Sequence, residues 1–124
     1  MEAKNLGKTS TGIQANVAGL LSYVLGWLTG LIFFLIEKEN KFVRFHAMQS
    51  MIVFGALFLL QIVLGMFMTA LIMMHIGFLV PIFYLLNSLI ILACVVLWIV
   101  FMIKAYQGEK FKLPVVGDIA EKYA

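Results

Sequence analysis

One run of residues limits this chain more than any other. From Phe45 to Ile103 there are 59 residues without an Asp, Glu, Lys or Arg. As one straight helix the run would be about 88 Å long, against a bilayer hydrocarbon core of about 30 Å. It must therefore turn back once. The turn is expected within His75-Ile76-Gly77-Phe78-Leu79-Val80-Pro81. Gly77 can end a helix, and Pro81 is tolerated in the first turn of the next one. The two arms are then Lys41 to Met74 and Pro81 to Tyr106, with Gly108 as the natural stop.

A second charge-free run covers Thr9 to Ile36, 28 residues. A signal-peptide core is only about 7–15 residues. Leu35-Ile36-Glu37-Lys38 also offers no small-x-small cleavage pattern. The run reads as a retained helix, Ile13 to Ile36, of about 36 Å. A short charged turn, Glu37 to Lys41, leads into the next helix, with Asn40 as its N-cap. Glu37 and Glu39 read as members of a solvated turn.

The expected fold class is all-α. It is a polytopic membrane protein with three transmembrane helices (13–36, 41–74 and 81–106) in one small bundle spanning 13–106. Residues 1–12 form a polar N-terminal tail. Residues 107–124 form a cytoplasmic tail with a turn at Pro114–Gly117 and a short helix, Ile119 to Tyr123. Composition agrees: 64% of residues are hydrophobic and 12% charged, where soluble proteins have roughly 45–50% and 25%. A domain of 124 residues leaves too much surface outside to hide that much apolar area from water. Its solvent is lipid.

Three spans put the two termini on opposite sides. The N-terminal side holds two Lys (Lys4, Lys8). The other side holds seven Lys and Arg: Lys38, Lys41, Arg44, Lys104, Lys110, Lys112 and Lys122. The positive-inside rule places the charged turn and the C-terminus in the cytoplasm and the N-terminus outside the cell membrane. The net charge of +3 suits anionic headgroups and is too small for a nucleic-acid footprint. The lipid bilayer is the expected partner, and no nucleic acid is expected.

All six carboxylates lie in tails or in the charged turn. Proton-coupled transporters keep a titratable acid at depth, and no such acid exists here. Intramembrane catalysis would need paired acids, a Ser–His pair or a metal motif, and none is legible. No enzyme, cofactor or catalytic residue is expected. Met66, Met68, Met73, Met74 and His75 read as flexible filler rather than a soft-metal site. Cys94 reads as a small apolar core residue.

Two faces carry the remaining information. Ala18, Ser22, Gly26 and Gly30 recur every fourth residue and let another backbone approach closely. They serve packing within the chain or a homo-oligomer. His46, Gln49, Ser50 and Gln61 share one stripe of the second helix. Buried polar groups in lipid need partners, and Gln14, Asn16, Asn87 and Ser88 are available. The stripe serves interhelical hydrogen bonds, or lines a path or a client segment.

The segment Phe42-Val43-Arg44-Phe45-His46-Ala47-Met48-Gln49-Ser50 is distinctive. So is Lys104-Ala105-Tyr106-Gln107-Gly108-Glu109-Lys110-Phe111-Lys112-Leu113-Pro114, followed by Gly117-Asp118-Ile119-Ala120-Glu121. Together they resemble the signature of a family of small, uncharacterised archaeal and bacterial membrane proteins. That family is broadly similar to the membrane subunit of the chloroplast inner-envelope protein-import translocon, which has four spans rather than three. The residues carried over are Phe45, His46, Gln49, Gly108, Pro114 and Gly117, with Arg44 beside them. The resemblance implies an interaction or assembly protein, linked to membrane-protein insertion or translocation, with a membrane-protein partner. The alternative is an oligomeric channel or transporter for ions or small solutes. The tail is expected to dock near His46.

Overall fold

A computed structural model describes residues 6–124. It contains five α-helices: α1 (Ala15–Val24), α2 (Trp27–Ile36), α3 (Lys41–Met73), α4 (Val80–Tyr106) and α5 (Val116–Tyr123). Only α3 and α4 are long and apolar enough to cross a bilayer. The single helix expected over 13–36 is not there. It breaks at Leu25-Gly26, where Gly26 has φ +64°. That backbone is open to glycine and strained for any other residue.

The break reverses the chain. Along α1, Gly19 lies against Phe42 and Ala105, and Tyr23 lies against Phe54 and Phe101. So α1 runs parallel to α3 and antiparallel to α4. Along α2, Trp27 meets Phe58, Gly30 meets Ala47 and Ser50, and Phe34 meets Arg44. So α2 runs back along α3. Each leg has ten residues, about 15 Å, or half a hydrocarbon core. The pair is a half-depth hairpin that enters and leaves at one end of the bundle. In place of three long helices the structure has two long enough to cross a bilayer and one short helical hairpin.

The hairpin also moves the N-terminal segment. The Asn40 side-chain amide donates to the carbonyls of Leu6 and Lys8, at 2.9 and 3.0 Å. Asn16 donates to the carbonyl of Tyr106 at 3.1 Å. The described part of the N-terminal segment therefore sits at the same end as the 37–40 turn and the end of α4. Opposite ends were expected. The part of the expected tail before Leu6, with Lys4, lies outside the described residues.

Helix ends follow local chemistry. Asn40 caps α3 by accepting from the Val43 N–H at 3.2 Å, satisfying an orphan donor. At the other end of α3, His75 takes the left-handed conformation (φ +63°) where Gly77 was expected to end the helix. The N–H of Ile76 bonds the Leu71 carbonyl, and that of His75 the Ile72 carbonyl. This double closure is one that glycine usually provides. Gly77–Leu79 forms a short 3-10 turn, and Pro81 is in the first turn of α4. Gly108 (φ +79°) ends α4 with the same pair of bonds, Glu109 to Lys104 and Gly108 to Ala105.

The tail climbs and returns. His46 contacts the Glu109 carbonyl, and Gln49 contacts Phe111 and Leu113. Residues 109–113 thus run along α3 toward mid-depth. After Pro114 and Val115 (φ +68°), α5 comes back along α3. It brings the Ala124 carbonyl to 2.9 Å from Lys41 Nζ. Gly117 permits the turn by close approach. A Cβ there would stand 2.3 Å from the Lys112 Cβ.

Candidate functional site

The inner half of α3 is the centre of the molecule. Phe45, His46, Ala47, Gln49 and Ser50 are fully buried there. Around them stand α1, α2, the end of α4 and the returning tail. Two apolar clusters flank the polar residues. One joins Ala15, Ala18, Phe33, Phe42 and Val43. The other joins Tyr23, Val53, Phe101 and Ala105, with Phe111 and Leu113 from the tail.

Between the clusters lies a hydrogen-bonded chain. The Tyr23 hydroxyl is 2.7 Å from His46 Nδ1, and His46 Nε2 is 3.0 Å from the Glu109 carbonyl. A carbonyl only accepts, so Nε2 carries the imidazole proton and Nδ1 accepts from Tyr23. The Tyr23 oxygen in turn accepts from Gln49 Nε2 at 3.1 Å. Gln49 also donates to the Phe111 carbonyl at 2.8 Å and accepts from the Leu113 N–H at 3.2 Å. Tyr23 stacks on Phe101 at 4.8 Å, and the His46 ring meets Phe42 and Phe45 edge-on. Among the described residues, no buried side-chain nitrogen or oxygen lacks a partner. A network satisfied in this way positions backbone, and here the backbone positioned is the tail.

The hairpin tip is held by the same logic. Ser50 Oγ donates to the Gly26 carbonyl at 2.7 Å, and Trp98 Nε1 donates to the Tyr23 carbonyl at 2.6 Å. Thr29 Oγ1 donates to the Ser22 carbonyl and accepts from the Leu25 N–H. These bonds gather on the backbone around the break, adding side-chain partners to the Gly26 and Tyr23 carbonyls, which also accept from the Gly30 and Gly26 N–H groups. Of the small residues expected to share one helical face, Ala18 and Ser22 lie on α1, Gly26 at the break and Gly30 on α2. At Gly30 a Cβ would stand 2.8 Å from the Ala47 carbonyl. The close approach is there, but on two antiparallel legs rather than one helix.

The polar stripe divides. His46, Gln49 and Ser50 belong to the buried inner half. Gln61 lies farther out and donates to Asn87 Oδ1 at 2.8 Å. Arg44 Nη1 donates to the Phe34 and Glu37 carbonyls, at 3.1 and 2.7 Å, and its guanidinium lies 4.1 Å from the Phe34 ring centre. It closes the C-terminus of α2, where a cation suits the helix dipole.

Two residues carry more than their sequence context suggested. Glu37 is not part of a solvated turn; it is buried. Its carboxylate accepts from the N–H groups of Ser10, Glu39 and Asn40. Burial alone would raise this carboxyl, but the donors, Ser10 foremost, outweigh it and hold it below its ordinary value of 4.5. Tyr23, fully buried, joins His46 to Gln49. Its position inside an apolar run gave no signal of that.

The outer half of the molecule differs. α3 and α4 meet there through Gln61–Asn87 and the Phe67–Phe83 ring pair at 5.1 Å. Because α1 holds the helices apart below, a groove of about 330 Å³ opens above the hairpin tip. Trp27, Leu57, Gln61, Ile91 and Trp98 line it. A second groove, of about 420 Å³, opens above the tail turn, against Ile52, Ala56, Ile90, Leu113 and Val116.

Comparison with known proteins names the relatives of this arrangement. The model of the MamF/MmsF family, described as the magnetosome magnetite crystal formation protein family, matches residues 8–120. The chain belongs to this family. A UPF0132 membrane protein of Methanocaldococcus jannaschii is 49% identical over 119 residues, 96% of each chain. A second from that organism is 46% identical over 113 residues, 90% of this chain and 71% of the relative. One from Archaeoglobus fulgidus is 46% identical over 110 residues, 89% of this chain and 95% of the relative. No solved structure matches. The resemblance to a small membrane-protein family is thus given substance as MamF/MmsF-like UPF0132 proteins of archaea. Nothing links the chain to the chloroplast translocon subunit.

Proposed function

We propose that this MamF/MmsF-family protein is a non-enzymatic interaction and assembly protein of the cell membrane, with the described N-terminal segment and the C-terminal tail on the cytoplasmic side. The observation that carries the reading is the pair of apolar grooves at mid-depth, one above the hairpin tip and one above the tail turn. Each is open sideways and lined by α3 and α4, and its floor is fixed by hydrogen bonds. A transmembrane segment of a partner protein fits such a groove, where it gains dispersion contacts that fluid lipid tails give less completely. A link to insertion or translocation belongs to this reading as the occasion on which an apolar segment arrives.

Orientation follows from charge. All eight described Lys and Arg lie in the half of the molecule that holds the 37–40 turn and the tail. The connection between α3 and α4 carries none. Positive-inside accounting on this topology supports a cytoplasmic placement of that end. An oligomeric channel has less support. His46, Gln49 and Ser50 are committed to internal bonds, and both grooves are almost wholly apolar.

The test is a photocrosslinker placed in turn at Leu57 and at Ile91, both in the first groove, and at Leu59, which is 62% exposed, in native membranes. The expected result is one recurrent membrane protein captured from the two groove positions and not from Leu59. Lipid adducts alone at all three positions would overturn the proposal.

A further inference from the structure

We infer that this protein is a membrane wedge: it favours, and in quantity stabilises, bilayers curved so that the leaflet holding the hairpin lies on the convex side. The partner is the lipid surface itself, chosen by shape. The inference rests on the helix layout and does not require the partner-segment reading above.

The cross-section of the molecule changes with depth. Among the described residues, only α3 and α4 continue beyond the level of Phe58, joined at their far ends by the Gly77–Leu79 turn. On the near side of that level the same two helices are flanked by α1 and α2. The tail and α5 then add a fifth element along α3. A helix with its side chains is about 10–12 Å across, so α1 and α2 alone add on the order of 200 Å² to one leaflet. The footprint in that leaflet is at least about twice the footprint in the other.

The added elements sit in lipid rather than below it. Leu28, Ile32, Leu35 and Ile36 of α2 are between 42% and 60% exposed. Side chains of that kind on the outside of a helix need acyl chains around them. On the opposite flank, α5 leaves Asp118 largely exposed and pairs Lys112 with Glu121. That helix turns Gly117 and Ala120 toward α3 and a charged side outward. The hairpin widens that leaflet, and the tail and α5 add their bulk at the same end of the molecule.

The wedge is also stiff. Ser50 and Trp98 bind the hairpin tip to α3 and α4, Arg44 and Glu37 close its base, and Gln49 ties down the tail. A soft insertion could tilt flat and relieve the area mismatch. One fastened at its tip, base and flank cannot, so the mismatch passes to the bilayer.

The test uses the full chain reconstituted into phosphatidylcholine vesicles containing a minority of phosphatidylglycerol. Vesicles of about 30 to about 400 nm share one sample, and protein and lipid fluorescence are read vesicle by vesicle. The expected result is protein density per lipid area at least about twofold higher on the smallest vesicles, in keeping with the curvature sensitivity of one-leaflet insertions. In the same small vesicles, Ala124→Cys in a Cys94→Ser background should react with a membrane-impermeant maleimide, placing the wide end outside. Density independent of vesicle size overturns the inference. So does enrichment with the label excluded, or with no preference between sides.

Discussion

Compare the two halves of α3. From Phe42 to Val53 most positions are buried, and they include His46, Gln49 and Ser50. From Phe54 to Met73 only Leu71 is buried, although this half is the more apolar. In water the apolar half would be the core. In lipid the order reverses. Tails solvate Leu and Phe as well as another helix does, so apolar content directs no packing. A buried amide or imidazole must find a partner, so polar residues decide where protein gathers. The compact half of this molecule is the half with something to satisfy.

Four measurements break or sharpen that contrast, each on stability in bicelles, from the largest expected effect to the smallest. Gln49→Leu leaves the Phe111 carbonyl, the Leu113 N–H and a Tyr23 lone pair unpartnered. It should cost about 3 kcal/mol, at roughly 1 per orphaned group, and expose the tail to rapid hydrogen exchange. Gly26→Ala forces a side chain into a positive-φ break and should cost about 1–3 kcal/mol. A loss under about 0.5 kcal/mol would mean the hairpin does not depend on that break.

The third is a pH profile around Glu37. Its carboxyl lies below the ordinary value of 4.5, so the unfolded chain takes up the proton first as pH falls. The stabilisation is complete above 4.5 and is lost as pH falls through the lower, folded value. Glu37→Gln should remove this acid-dependent loss and leave a lower, flatter profile. An unchanged acid limb would assign the loss to another carboxylate.

The fourth is the matched control. Gln61→Leu together with Asn87→Leu deletes the polar side-chain pair that joins α3 and α4 in the outer half. It should cost no more than about 0.6–1.7 kcal/mol, the range for hydrogen bonds between membrane helices. Gly65→Ala, where an added Cβ meets nothing within 4 Å, should change stability by less than about 0.5 kcal/mol. If the outer pair proved as costly as Gln49, the contrast between the halves would be wrong.

Much of the candidate site was legible residue by residue. Asn40 as an N-cap, Gly108 as a stop, and a tail docked near His46 all follow from local chemistry or from the motif pair. The role of Glu37 did not follow. A carboxylate beside Lys38 and Glu39 reads as wet unless Ser10 is known to arrive. Nor did Tyr23, because nothing near it in the chain names its partners His46 and Gln49. The break at Gly26 carried one sign, a glycine in a row of small residues. Close packing explained that row as well as a positive φ did.

By itself the sequence determined the solvent, the two long apolar helices, the turn between them, the Asn40 cap and the Gly108 stop. Those depend on composition and on bonds a few residues apart. Only the tertiary structure decided that residues 13–36 go in and come back. A charge-free run bounds how far the chain can travel in lipid, not in which direction. One crossing of about 36 Å and two legs of about 15 Å expose similar apolar surface to acyl chains. What separates them is a set of hydrogen bonds between distant residues: Ser10 with Glu37, Leu6 with Asn40, Asn16 with Tyr106 and Tyr23 with Trp98. Those bonds exist only once the fold has formed.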